Sequence, residues 1–170
     1  MRVWIGIATL LGLALATGFQ VTGSVTYQAR APLGTWTGTN PTLKGQVDWD
    51  PGKNLLRGQV CLDLQAFDSK EPLRDKHTRE MFAVDRYPQA CLKVTGWDPG
   101  RGVVLGVMSL HGVDRKVEVS VRHSLEGSTL RFRAEMEVLL SDYGLKAPSF
   151  MGMRVQDRVL VRVEGQGVTR

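Results

Sequence analysis

Three histidines, His77, His111 and His123, and two cysteines, Cys61 and Cys91, are the side chains best suited to bind a metal or act as nucleophiles. The histidines stand far apart, and no HxH, HxxxH or CxxC spacing occurs, so the sequence offers no metal site. His111 and Asp114 share one turn and could form an acid/base pair, although a His-Gly turn commonly serves only to cap a loop. Arg74 and Asp75 could grip a phosphate head group, or could hydrogen-bond strand ends from a short helix. No serine stands in a G-x-S-x-G turn, and no glycine-rich phosphate loop follows a strand. Without such a constellation the expectation is a protein that is not an enzyme, with no catalytic residues, metal or cofactor.

The elements that would position these groups are strands. Past residue 20 the apolar period is two almost throughout. Leu56, Gly58, Val60, Leu62 and Leu64 alternate with Arg57, Gln59, Cys61, Asp63 and Gln65. Leu130, Phe132, Ala134, Met136 and Val138 alternate with Arg131, Arg133, Glu135 and Glu137. Val117-Val119-Val121 and Val159-Val161-Val163 repeat the pattern. Weaker versions are Val25-Tyr27-Ala29, Val47-Trp49, Ala90-Leu92-Val94 and Val103-Leu105-Val107. Turn chemistry separates the runs, most sharply at Asp50-Pro51-Gly52 and Asp98-Pro99-Gly100, where proline fixes one dihedral and glycine permits another. Residues 71–82 break the period, with Pro72 early and Leu73, His77 and Met81 four apart, which predicts one short helix.

About eight strands, each with a wet and a dry face, must close or split to hide their edges. The predicted fold is therefore all-β with one short helix, a closed antiparallel eight-stranded barrel. Such a barrel is filled by its side chains or holds one ligand. Gly58, Ala90, Gly96 and Ala134 on the apolar parity suggest space, while Trp49, Phe132 and Leu92 could fill it. Alternation alone leaves both readings open.

The first sixteen residues differ from the rest. Met1-Arg2 is a minimal basic start, residues 3–16 carry no charge, and Ala14-Leu15-Ala16 supplies a small-x-small cleavage pattern. The expectation is a signal peptide over 1–16 and a mature domain over 17–170, exported to the periplasm or beyond; an uncleaved anchor is the alternative. The net charge of +5 is spread along the chain without a basic run, which argues against a nucleic-acid partner. In an oxidising compartment Cys61 and Cys91, on the wet parity of consecutive strands, could form a disulfide; two separate thiols remain the other reading, because strand register cannot be read from sequence.

Three ordered motifs carry a resemblance. Residues 73–94 (LRDKHTREMFAVDRYPQACLKV) resemble the R-D-x-H-L-R, phenylalanine-rich and Y-P element of the YceI family through Arg74, Asp75, His77, Arg79, Phe82, Tyr87 and Pro88. SLHGVDRKVEV (109–119) resembles its L-T-x-H-G-V hairpin, and SDYGLKAPSF (141–150) its late D-F-G element through Asp142, Tyr143 and Gly144. The family is similar to lipocalins in shape and binds polyisoprenoid chains in an elongated pore. The resemblance implies a non-enzymatic protein whose ligand is a polyprenyl chain or isoprenoid quinone. Val60, Leu62, Leu92, Val107, Val119, Phe132, Ala134 and Val161 are the expected lumen, and Phe82, Phe150, Met151 and Met153 the expected mouth. Transient membrane contact and a homodimer are compatible with that role. The competing reading is a filled barrel that binds another envelope protein. Ser24-Val25 without the family's histidine, Asp114 and Lys116 in the hairpin, and Leu140 before the D-Y-G element depart from the pattern, and bear on the ligand more than on the fold.

Overall fold

The computed structural model describes residues 16–170. The expected leader therefore lies outside the described residues, apart from its last residue, Ala16. Eight antiparallel strands close into a barrel in the order β1-β10-β7-β6-β5-β4-β3-β2. Their ranges are β1 Thr17–Ala31, β2 Gly34–Asp50, β3 Leu55–Asp63, β4 Gln89–Asp98, β5 Val103–Leu110, β6 Val113–Glu126, β7 Thr129–Leu139 and β10 Arg158–Thr169. The two-residue strands β8 (Ser149–Phe150) and β9 (Met153–Arg154) form a separate hairpin. Pairing of β1 with β10, from Phe19↔Thr169 to Gln28↔Leu160, closes the ring, so the complete sheet lies within 17–170. The predicted architecture holds.

The predicted helix is α1, Pro72–Phe82, between β3 and β4. Pro72 begins it, where a missing N–H costs nothing, and Ala83 ends it in the left-handed region, its N–H bonded to Arg79 and Glu80 carbonyls. Of the expected apolar stripe, His77 and Met81 face the barrel and Leu73 does not. Leu73 is 52% exposed, and Arg74, His77, Thr78, Met81 and Phe82 face the barrel. The chain thereby gives the barrel two unlike ends. The helix end carries α1, the β1–β2 and β5–β6 turns and the β8–β9 hairpin, and the turn end carries the two Asp-Pro-Gly turns and the β6–β7 turn.

Register irregularities shape the wall. In β4 the pairing with β5 slips between Val94↔Gly106 and Gly96↔Leu105, a bulge that sends Gly96 outward and Trp97 inward. Gly58 is not a space-maker either. Its φ is +149°, and a Cβ there would lie 2.1 Å from the Gln46 carbonyl oxygen, so the bent β2–β3 pair requires glycine. A second slip between β1 and β2 falls opposite Pro41, where the ladder can do without a donor.

Asn40, fully buried, braces that slip. Its Nδ2 donates to the Asp63 carbonyl at 2.6 Å, and its Oδ1 accepts from Thr42 N at 3.0 Å and Thr42 Oγ1 at 2.6 Å. Asn40→Leu strands these buried partners and should destabilise by about 2–4 kcal/mol. Urea unfolding should show a lower midpoint with an unchanged m-value.

Candidate functional site

The inward parity builds two adjoining apolar cavities, the two halves of the barrel's lumen. The half at the turn end has about 230 Å³ of free space and the half under α1 about 150 Å³. A single water needs only about 10–15 Å³, so both halves are roomy. Val25, Leu62, Ala90, Met108, Met136 and Val161 border both halves, so the two adjoin at the waist of the barrel. Val60, Leu92, Phe132, Ala134 and Val161 point inward yet are only half-buried, because the surface they expose faces the cavity. In a filled barrel those positions would be closed over at the density of a protein interior.

Most expected lumen residues stand on this wall: Val60, Leu62, Leu92, Val119, Phe132, Ala134 and Val161. Val107 does not. It pairs with Lys93 and Lys116 on the outer face, while Val104, Met108 and Leu110 of β5 line the cavity. Both parities of β5 are apolar and Gly106 sits on the inner one, so alternation there pointed the wrong way. Gly165 makes room for Phe132: a Cβ at Gly165 would fall 2.5 Å from that ring.

At the mouth, Phe82 lines the half under α1 and stacks on Phe67 with centroids 6.4 Å apart. Met151, expected at the mouth, does not line the cavity: it is 82% exposed at the tip of the β8–β9 hairpin, where its φ of +51° and that of Gly152 at +78° make the tight turn. Met153 is half-buried but stands off the cavity wall, its neighbours Pro148, Ser149 and Val155 lining it instead. The Phe150 side chain lies outside the described residues.

Polar groups gather only beneath α1. Asp75, 8% exposed, accepts from Ser69 N at 3.0 Å and Ser69 Oγ at 2.6 Å. Arg74 donates through Nε to Ser69 Oγ and through a terminal nitrogen to the Ser69 carbonyl, both at 2.9 Å, and its guanidinium lies 5.2 Å over the Trp36 ring. The Arg74–Asp75 pair thus ties α1 to the chain that precedes it. The Tyr27 hydroxyl is buried beside this cluster without a hydrogen-bond partner. Burial pushes its pKa up, outweighing the facing side chains of Thr78, Ser69 and Trp36, so the phenol stays neutral at ordinary pH. At the turn end Trp49, His123 and Trp97 meet edge to face, His123 lying 5.4 Å from one indole and 5.5 Å from the other. Sequence reasoning missed Trp97 and His123 as wall residues. Trp97 is hidden by the bulge, and a histidine on an apolar parity carries no lumen signal.

His111 and Asp114 do not form a dyad. His111 Nδ1 lies 3.1 Å from the Tyr143 carbonyl and its ring sits edge to face on Tyr87, whereas Asp114 accepts from Ser109 Oγ at 2.5 Å. The histidine pins the D-Y-G turn to the β5–β6 turn. Among the described residues, no three His, Cys, Asp or Glu side chains converge on a point where a metal could sit. Cys61 and Cys91, opposed in the β3–β4 ladder with Cα atoms 4.1 Å apart, are bonded as a disulfide.

A family profile described as the YceI-like domain matches residues 18–166, the whole barrel. The chain belongs to the YceI-like family. Solved structures share the fold at low identity. BcnA of Burkholderia cenocepacia superposes with a TM-score of 0.76 at 20% identity, over 85% of this chain and 95% of that one. A domain of Saccharophagus degradans described as polyisoprenoid-binding and implicated in plant cell wall breakdown gives 0.70 at 16%, over 92% and 99%. The YceI protein of Campylobacter jejuni gives 0.64 at 14%, over 78% and 84%. No curated protein sequence matches the chain.

Proposed function

We propose that this YceI-like protein is an exported carrier that holds one long isoprenoid-type lipid, a polyprenyl chain or isoprenoid quinone, in its barrel. The observation that carries the reading is the pair of adjoining apolar cavities whose inward side chains remain half-exposed to free space. A polyprenyl chain offers no hydrogen bonds along its length, so its affinity must come from apolar burial, at roughly 25 cal/mol per Å² removed from water. The wall suits that: a groove of Val, Leu, Phe and Ala with adaptable Met108 and Met136 at its waist. Arg74 and Asp75 under α1 are spent on Ser69, which favours binding over catalysis as the work of the site. The Saccharophagus domain described as polyisoprenoid-binding, built on the same fold, supports the ligand class. A filled barrel acting as an interaction module is disfavoured by the empty lumen.

The leader expected over residues 1–16 fits the same role, since a lipid crossing an aqueous compartment needs its chain shielded. Protein purified from the cell envelope, extracted with organic solvent and analysed by mass spectrometry, should release a polyprenyl-type lipid at near one per chain. The same sample should begin at Thr17 on N-terminal sequencing. Protein that consistently carries no lipid would overturn the ligand; a chain beginning at Met1 would overturn the cleaved leader.

A further inference from the structure

The helix end of the barrel carries a second, outward-facing feature. The β1–β2 turn presents Leu33, 83% exposed, and the β8–β9 hairpin presents Met151, 82% exposed. The two loops are neighbours, joined by the Gln156 N–H donating to the Arg30 carbonyl at 2.8 Å. Each carries exposed cations, Arg30 on one and Lys146 and Arg154 on the other, and none of the three is in an ion pair among the described residues. No carboxylate occurs in residues 29–47 or 143–156. The second stretch is flanked by Asp142, which pairs with Arg115, and by Asp157, which accepts from Ser141 N and Oγ at 2.8 and 2.5 Å. The lumen opens between the same loops, where Ala29, Trp36, Pro148, Ser149 and Val155 line it. The turns of the other end carry cations paired with carboxylates, Lys53 with Asp50, Arg101 with Asp98 and Glu118, Arg131 with Glu126 and Arg170 with Asp48, while Arg57 and Arg122 on the strands beside them have no ion pair among the described residues.

Single exposed apolar residues need no explanation. Two on adjacent protruding tips, ringed by unpaired cations and flanking the entrance to an apolar cavity, have the chemistry of a surface that meets anionic lipid. We propose that the β1–β2 turn and the β8–β9 hairpin dock the barrel on an anionic bilayer, with Leu33 and Met151 entering the head-group region and Arg30, Lys146 and Arg154 against lipid phosphates. Docked in this way, the lumen mouth faces the membrane, so a lipid can pass between the two without its chain entering water. The docking extends the lipid-holding role but is read separately from it.

The test is cosedimentation of residues 17–170, the complete barrel, with vesicles of phosphatidylethanolamine and phosphatidylglycerol at 3:1, and with pure phosphatidylcholine. Binding to the anionic vesicles should exceed binding to phosphatidylcholine and weaken as salt rises. L33D/M151D and K146E/R154E should each lower the anionic partition at least about tenfold with an unchanged melting temperature, since all four side chains are free of packing partners. L125D, which alters an exposed leucine at the turn end, should bind like the parent. Wild type that ignores anionic vesicles, binds only native membranes containing protein, or is unaffected by the four loop changes overturns the proposal, as does loss of binding in L125D. Lumen lipid measured by mass spectrometry on the same preparations reports on the ligand independently, so either reading can fail while the other stands.

Discussion

Ala134→Trp will empty the barrel without unfolding it. Ala134 lies in the middle of β7, inward, paired with Val163 on one side and Val121 on the other, and it borders the larger half of the lumen. An indole placed there meets free space first and would occupy the channel that a lipid chain must thread. Co-purified lipid should fall from near one per chain to a few per cent, measured by extraction and mass spectrometry. In a close-packed core the same change would force off-rotamer side chains and cost about 1–3 kcal/mol. The melting temperature of delipidated mutant should instead match that of delipidated wild type within a few degrees. A mutant that barely folds, or one that still carries full lipid, would sink the open-lumen account. The comparison must use delipidated protein, because bound ligand stabilises the wild type by mass action.

Removing the Cys61–Cys91 bond will lower the melting temperature by roughly 6–16 °C. The bond closes a loop of 30 residues. That loop contains α1 and the polar cluster that fastens it, so the bond restrains the segment that roofs half of the lumen. On the chain-entropy account such a loop is worth roughly 3–4 kcal/mol, and a domain of this size loses about 2–4 °C per kcal/mol. Cys61→Ala/Cys91→Ala should show the drop, and reducing agent should produce it in wild type but leave the double mutant unmoved. A midpoint within about 2 °C of wild type would mean that the β3–β4 ladder alone sets the loop's order. A secondary effect is expected on exchange: amide hydrogens of α1 should exchange faster in the double mutant, where the helix is held by Asp75 and Arg74 to Ser69, by Arg74 over Trp36 and by Phe82 on Phe67 without the covalent closure.

Much of the barrel was written in the alternation of β3, β6, β7 and β10. Where one parity is charged and the other apolar, only one face can be turned inward, and those strands placed Val60, Leu62, Val119, Phe132, Ala134 and Val161 without reference to any partner strand. The helix and the Asp-Pro-Gly turns were likewise local, since proline and glycine act through their own dihedrals. The family motifs were local as well, although what Arg74, Asp75 and His111 do was not: they tie the helix end together, each through a group remote in sequence or in a neighbouring element.

The tertiary structure decided what depends on two strands at once. The β4 bulge turned Trp97 inward and Gly96 outward, and a two-sided apolar strand put Val107 on the outer face. A bulge is one extra residue measured against a partner, so no periodicity within the strand reveals it. Register set Cys61 opposite Cys91, and the close approach of β2 to β3 demanded glycine at position 58. Whether the interior was filled or empty also lay beyond the sequence. Side-chain volumes can be read from residue names, but the space they must fill is set by strand tilt and barrel diameter, which exist only once the ring has closed.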